Sequence, residues 1–445
     1  MNRSAITKAQ GIAIVVVIII ALLAVGGYYT TLPKPTPPPV TPTTPTVTPT
    51  TPAVKEVVIG VVQPMTGGMA RHGLPIVKAI RMAAEEVNEA GGIKSLGGAK
   101  IKLVEGDCKS DPEVSKAEAE RLITTYKPTA FLGPYSSVLT LAFTEVTERY
   151  KIPSINSGIA LKITQRGYKY CFRNFGTATD FATGQVIVLG ELERLYGWKP
   201  DKIALIYENT DYGTSTSAET EKLIKQYHPG ISIVLKESYP RDVTDVTDLI
   251  LKVKASGAKM VFPVGYLNDQ MLIIRTIHEL KVPVLVFGGG GGFLLKEFGK
   301  SLGPAVENVL SPSLWQYDMN IPGVAEFSKK FKERYPEEGW PEENTGTFYA
   351  AFYTIYEAIE RAGSADPEKV RNALATIDII STRDKPHKAC ALPSYDEKSG
   401  VFRVKFDETG QNIYAKVVVM QWQDGQMVTI WPDWAKQPGA SLRKP

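Results

Sequence analysis

The chain has 445 residues, 43% hydrophobic and 22% charged, with a formal net charge of +4; it is long enough for more than one domain and apolar enough to bury a sizeable core. So small a positive excess, with no dense run of Lys and Arg, leaves no electrostatic footprint for nucleic acid. The four histidines (His72, His228, His278, His387) and three cysteines (Cys108, Cys171, Cys390) show no HxxxH, HxH or CxxC spacing, which argues against a metal site; the odd cysteine leaves room for one disulfide whose pairing the sequence does not choose.

Residues 1–10 carry Arg3 and Lys8, and residues 11–29, "GIAIVVVIIIALLAVGGYY", are uncharged. At 1.5 Å per residue this run crosses a hydrocarbon layer of about 30 Å. Basic residues before it hold that end in the cytoplasm, so the bulk of the protein is expected outside. Residues 1–31 read as a cleaved signal or a retained anchor; no A-x-A-like site follows the run, which favours the anchor and a protein tethered at the cell surface. Residues 32–53, rich in Pro and Thr, read as a semi-rigid stalk of polyproline II character, with threonines suited to O-glycosylation.

From residue 54 onward, strand and helix patterns alternate. "EVVIGVV" is a β-branched run. "LPIVKAIRMAAEEVNEAGG" places Ile76, Ile80, Ala83, Ala84 and Val87 at helical spacing and stops on Gly91-Gly92. "AKIKLVEGD" is a strand, followed by a helix with Asp111 as cap and Pro112 in its first turn. "PTAFLG", the helix "SSVLTLAFTEVTERY" and the strand "IPSINS" complete a first unit. The pattern restarts with the strand "KIALIYEN", the helix "GTSTSAETEKLIKQY", and the strands "SIVLKESY", "AKMVFPVGY" and "VPVLVFGG", with helices between them. This order predicts two doubly wound α/β units with parallel sheets. Ligands of such sheets sit beyond the carboxyl ends of the strands. That selects the loops "QPMTGGMARHG", "GPYSS", "NSGIA", "ENTDYG", "GYLND" and "GGGGGF". The last holds five consecutive glycines, expected to mark a close approach rather than a tether.

The motifs "IGVVQPMTGGMARHG", "GDCKSDPEVS", "FLGPYSSVLT", "YKIPSINSG", "YENTDYG" and "VFPVGY", in this order, resemble the branched-chain amino-acid (leucine/isoleucine/valine) family of ABC-transporter substrate-binding proteins, of the type I periplasmic-binding-protein fold. The resemblance implies two lobes joined by a three-segment hinge, lobe 1 over 54–176 and 314–390 and lobe 2 over 177–313 and 391–445. It implies an extracytoplasmic, monomeric body that closes on an amino acid or a related carboxylate or amide and delivers it to permease subunits, without cofactor. It also implies site residues: Ser136 and Ser137 for the ligand carboxylate, Gly158 and Ala160 in the next loop, Tyr212 and Tyr266 from lobe 2, His72 at the first loop and Trp315 near the third crossover. The family's amino-acid binders carry an acid for the ligand ammonium near Gly290, where this chain has glycine. Either another carboxylate substitutes, Asp211 and Asp269 being the nearest in sequence, or the ligand has no ammonium, or glycine makes room for a bulkier one. The family's usual disulfide is also incomplete, since the position matching the partner of Cys108 is near Ser136. No GxSxG, HExxH or P-loop motif points to an enzyme. The alternative is a ligand-sensing receptor ectodomain of the same fold.

Overall fold

A computed structural model of the chain describes residues 18, 20 and 54–444. The expected anchor and stalk lie outside the described residues, apart from Ile18 and Ile20, and among the described residues no helix is long and apolar enough to cross a membrane. Ala53–Pro445 forms one compact unit.

The elements follow the predicted alternation. In chain order they are β1 (Glu56–Gln63), α1 (Ala70–Glu89), β2 (Lys100–Asp107), α2 (Pro112–Tyr126), β3 (Ala130–Leu132), α3 (Ser137–Arg149), β4 (Ser154–Asn156) and β5 (Cys171–Arg173). These five strands make one parallel sheet of order β2-β1-β3-β4-β5, with Glu56 opposite Lys100 and Gln63 opposite Asp107. Then come α4 (Ala178–Tyr196), β6 (Lys202–Glu208), α5 (Asp211–Tyr227), β7 (Ser232–Tyr239), α6 (Thr247–Ser256), β8 (Met260–Val264), α7 (Leu267–Glu279), β9 (Leu285–Val286) and α8 (Lys296–Leu302). Their strands form a second parallel sheet, β7-β6-β8-β9. Side chains of β6 alternate between its two faces: Ile203 and Leu205 join one core, Ala204 and Ile206 the other. Both faces are apolar because helices cover both.

The rest of the chain adds antiparallel strands that periodicity alone did not reveal. After β10 (Leu310–Ser313) come α9 (Val324–Arg334), α10 (Glu343–Ala362), α11 (Pro367–Thr376), β11 (Asp378–Ser381), β12 (Tyr395–Asp396), β13 (Val401–Lys405), β14 (Val418–Gln423) and β15 (Gln426–Trp431). α10 packs on α1 and brings Phe348, Ala351, Phe352 and Ile355 into the core of the first sheet. β10 extends the second sheet through the Phe287–Leu310 bridge and pairs with β14. The lobe boundary expected at 390/391 therefore needs correction. β13 pairs with β11 and β12, and Gln411 bridges Arg173 of β5, so 391–416 stays with the first-sheet half. The chain crosses between the halves after β5, after β10 and before β14. All three cysteines are buried and free.

Candidate ligand-binding site

The strand ends of the two parallel sheets face one cavity of about 30 Å³. From the first half it is lined by Tyr135, Ser136 and Ser137 between β3 and α3, by Ser157 and Ile159 after β4, and by Glu343 and Asn344 in the first turn of α10. From the second half come Phe181, Tyr212, Tyr266 and Gly291, with Leu314 at the crossover after β10. The space suits about one or two waters.

Its polar atoms are in large part uncommitted. Ser136 Oγ, Ser157 Oγ, Tyr266 OH and Asn344 Oδ1 are buried with no hydrogen-bond partner. Buried polar groups are normally paired, so unpaired ones gathered at one cavity point to a polar guest. Ser136 stands at the N-cap of α3 but makes no side-chain cap bond; its φ of 76° and ψ of 150° are unusual for a residue with a Cβ. That removes plain capping as its role. Ser137 Oγ accepts from Ala160 N at 3.1 Å, which ties the β3 and β4 loops together.

Four of the nine residues expected in the site line it: Ser136, Ser137, Tyr212 and Tyr266. The ring of Tyr212 faces the cavity while its hydroxyl donates to Gly289 O at 2.5 Å, behind it. Gly158 and Ala160 do not line the cavity. Their carbonyls accept from Nη1 of the buried Arg173 at 3.0 and 2.9 Å, and it is Ser157 and Ile159 that face the space. His72 is set back as well. It stacks on Tyr135 with centroids 4.3 Å apart, and burial, helped by Arg71, pushes its pKa down to about 3. It supports a wall rather than forming one. Trp315 is fully buried in the first half and donates its indole N–H to Ala391 O at 3.0 Å; Leu314 lines the cavity in its place.

Gly290 corrects both readings attached to it. Its φ is +89° and a Cβ there would lie 2.4 Å from the Phe181 ring, so the glycine makes room for Phe181, not for a bulkier guest. Its neighbour Gly291 is the one that reaches the cavity. Neither aspartate proposed as a substitute acid lines the space. Asp211 is 41% exposed in its side chain and sits 3.9 Å from Lys162. Asp269 caps α7, accepting from Tyr266 N at 2.8 Å and Tyr239 OH at 2.9 Å, and burial pushes its pKa up to about 7.

The acid that does line the cavity is Glu343. It is 6% exposed. Burial pushes its carboxyl up to about 7, against hydrogen bonds from Leu314 N, the Ser313 hydroxyl and the Asn344 amide. Sequence reasoning missed it because "PEENTG" reads as an ordinary helix start. Ser157, Tyr135, Ile159 and Gly291 were missed by a single position, since loop residues have no periodicity that says which one turns inward. Phe181, in the first turn of α4, carried no local signal at all. Among the described residues no group of three His, Cys, Asp or Glu gathers as for a metal.

Residues 56–426 match the family model of periplasmic binding proteins. Among curated proteins, Leu/Ile/Val-binding protein homolog 8 of Brucella abortus is 31% identical over 390 residues, covering 85% of this chain and 91% of that protein. Homolog 7 of the same organism is also 31% identical, over 92% of its length. Among solved structures, a leucine binding protein from Thermotoga maritima superposes with a TM-score of 0.69 at 21% identity, covering 86% of this chain and 99% of that one. A branched-chain amino acid transporter substrate binding protein from Streptococcus pneumoniae, in complex with isoleucine, gives the same values.

Proposed function

This chain belongs to the periplasmic binding protein family, and from that premise we propose that it is the extracytoplasmic solute-binding component of an ABC importer. It captures a small apolar amino acid or related carboxylate between two lobes and hands the closed, loaded form to a membrane permease. The observation that carries this reading is the cavity bounded by both sheets, with the hydroxyls of Ser136, Ser157 and Tyr266 left unpartnered. The carboxylate goes to Ser136, Ser137 and Ser157, at the start of α3. There the first backbone N–H groups lack helical partners and the helix dipole is positive, which favours an anion. The apolar body of the solute packs on Tyr135, Phe181, Tyr212, Tyr266, Ile159 and Leu314, so aromatic area sets the affinity for its side chain. Lobe 1 combines the first sheet with α9–α11 and the strands to Lys416; lobe 2 combines the second sheet with β14 and β15. Residues 1–31 hold the body at the membrane through the stalk.

A thermal-shift screen against the twenty amino acids and short carboxylates tests the reading. A ligand that binds only the native state raises the melting temperature by mass action. Leucine, isoleucine or valine is expected to give the largest shift. No shift with any amino acid or carboxylate would overturn the proposal.

A further inference from the structure

The cavity is lined by polar groups from two elements, and the two sets differ in character. Beside the start of α3 the uncommitted groups are the hydroxyls of Ser136 and Ser157, which can donate. At the start of α10 they are acceptors. Asn344 donates Nδ2 to Glu343 Oε2 at 3.2 Å, which leaves Asn344 Oδ1 buried and unpartnered. Glu343 Oε1 accepts from Leu314 N at 2.5 Å and from Ser313 Oγ at 3.2 Å. The groups acting on this carboxyl are a backbone N–H, a hydroxyl and an amide, none of them a cation. A carboxylate buried without a counter-charge is costly, and beside an unpaired amide oxygen it is a site for a positively charged donor.

The geometry points to Glu343, with Asn344 Oδ1, as the partner of the solute's α-ammonium group. This rests on the reading that the cavity is the solute site, and it narrows the solute to a zwitterionic amino acid. The loop Gly288–Gly292 has no room for an acid, so the charge has moved to the opposite half of the molecule. Carboxylate and ammonium are then both held by the first half, and the second contributes the aromatic rings of Phe181, Tyr212 and Tyr266. Polar recognition therefore precedes closure, and closure adds apolar cover. Glu343 also discriminates: a solute lacking the ammonium leaves the buried carboxyl without a counter-charge and Asn344 Oδ1 unpaired, a strong form of rejection for a small site.

Calorimetric titration of the full-length protein and its Glu343→Gln variant, with L-leucine and its des-amino analogue isocaproate, tests the assignment. Glutamine keeps the shape and an oxygen for Leu314 N while removing the charge. The unaltered protein is expected to prefer leucine over isocaproate by about a hundredfold or more, and Glu343→Gln to erase most of that preference by weakening leucine and sparing isocaproate. Retained isocaproate binding also shows that the variant is folded. If it does not fold, Asn344→Asp carries the test: a second negative charge is expected to keep leucine and reject isocaproate further, and a shift toward isocaproate overturns the inference. Equal leucine affinity in Glu343→Gln and the unaltered protein overturns it while leaving solute capture intact. Isocaproate bound in preference to leucine by the unaltered protein also overturns it, leaving a carboxylate binder. Failure of the unaltered protein to bind any amino acid or carboxylate refutes the proposed function, and this inference with it.

Discussion

Ser136 shows what one residue of this site trades. Its φ of 76° with ψ of 150° lies where residues other than glycine are rare, at a cost of about 1–3 kcal/mol. The strain places the Oγ at the cavity instead of on the helix amides. Ser136→Gly is therefore expected to raise the melting temperature without ligand while weakening a carboxylate ligand by about 1–3 kcal/mol, since the hydroxyl is lost from a buried charged partner. Differential scanning calorimetry and titration read the two effects separately; a variant that loses both stability and affinity would contradict it. Glu343 makes a second residue-level prediction, in pH. Its folded pKa, about 7, lies above the ordinary 4.5 because of burial. The folded state thus favours the protonated form, and that contribution is fully present below about pH 4 and lost as pH rises through about 7. Without ligand, Glu343→Gln is expected to stabilise the protein at about pH 8 by up to roughly 3 kcal/mol and to make little difference at about pH 4. A constant difference across that window in thermal melts would refute it.

At the scale of elements, the five-glycine loop after β9 is a packed wall. A Cβ would lie 2.4 Å from the Phe293 ring at Gly288, 2.8 Å from Val264 at Gly289, 2.4 Å from Phe181 at Gly290, 2.4 Å from Gly265 O at Gly291 and 2.5 Å from Leu267 Cα at Gly292. The first three neighbours are buried side chains, which can yield only by disturbing the packing around them. At Gly292 the neighbours are the backbone of Leu267 and Tyr266, at the start of α7, and cannot. Gly292→Ala is expected to cost about 2 kcal/mol of stability and to weaken ligand binding as well, by displacing Tyr266 from the cavity. Gly288→Ala serves as the comparison: it is expected to cost stability with little loss of affinity. The element order was legible because buried parallel strands and amphipathic helices carry their periodicity in the chain itself. The pairing of β13 with β11 was not, because antiparallel partners separated by other elements leave no local mark. This is why 391–416 was placed with the wrong half.

Across the whole molecule the two halves are held together by ions as well as rings. Arg71 of α1 pairs with Glu297 of α8, and Lys296 of α8 donates to the backbone carbonyls of Glu337 and Glu338. These links join the first half to the second, and a partly exposed ion pair such as Arg71–Glu297 contributes about 0.2–1 kcal/mol. Arg71→Met is expected to weaken ligand binding two- to fivefold by favouring the open form, and to make affinity less dependent on salt. Titration at low and high ionic strength checks this, and an unchanged salt dependence would dissociate the pair from closure. What the sequence alone determined is everything written in local pattern: two α/β units, the loops at their strand ends, and the resemblance those loops carry. Ser136, Ser137, Tyr212 and Tyr266 were expected from that resemblance, each in a loop where a strand ends and a helix begins, and all four line the cavity. Only the tertiary structure decided which loop residue turns inward, that Arg173 occupies the carbonyls of Gly158 and Ala160, and that Glu343, more than two hundred residues beyond Ser136 in the chain, shares its cavity. The physical reason is that backbone periodicity is a short-range property, whereas a site is an encounter of side chains whose proximity depends on how whole elements pack.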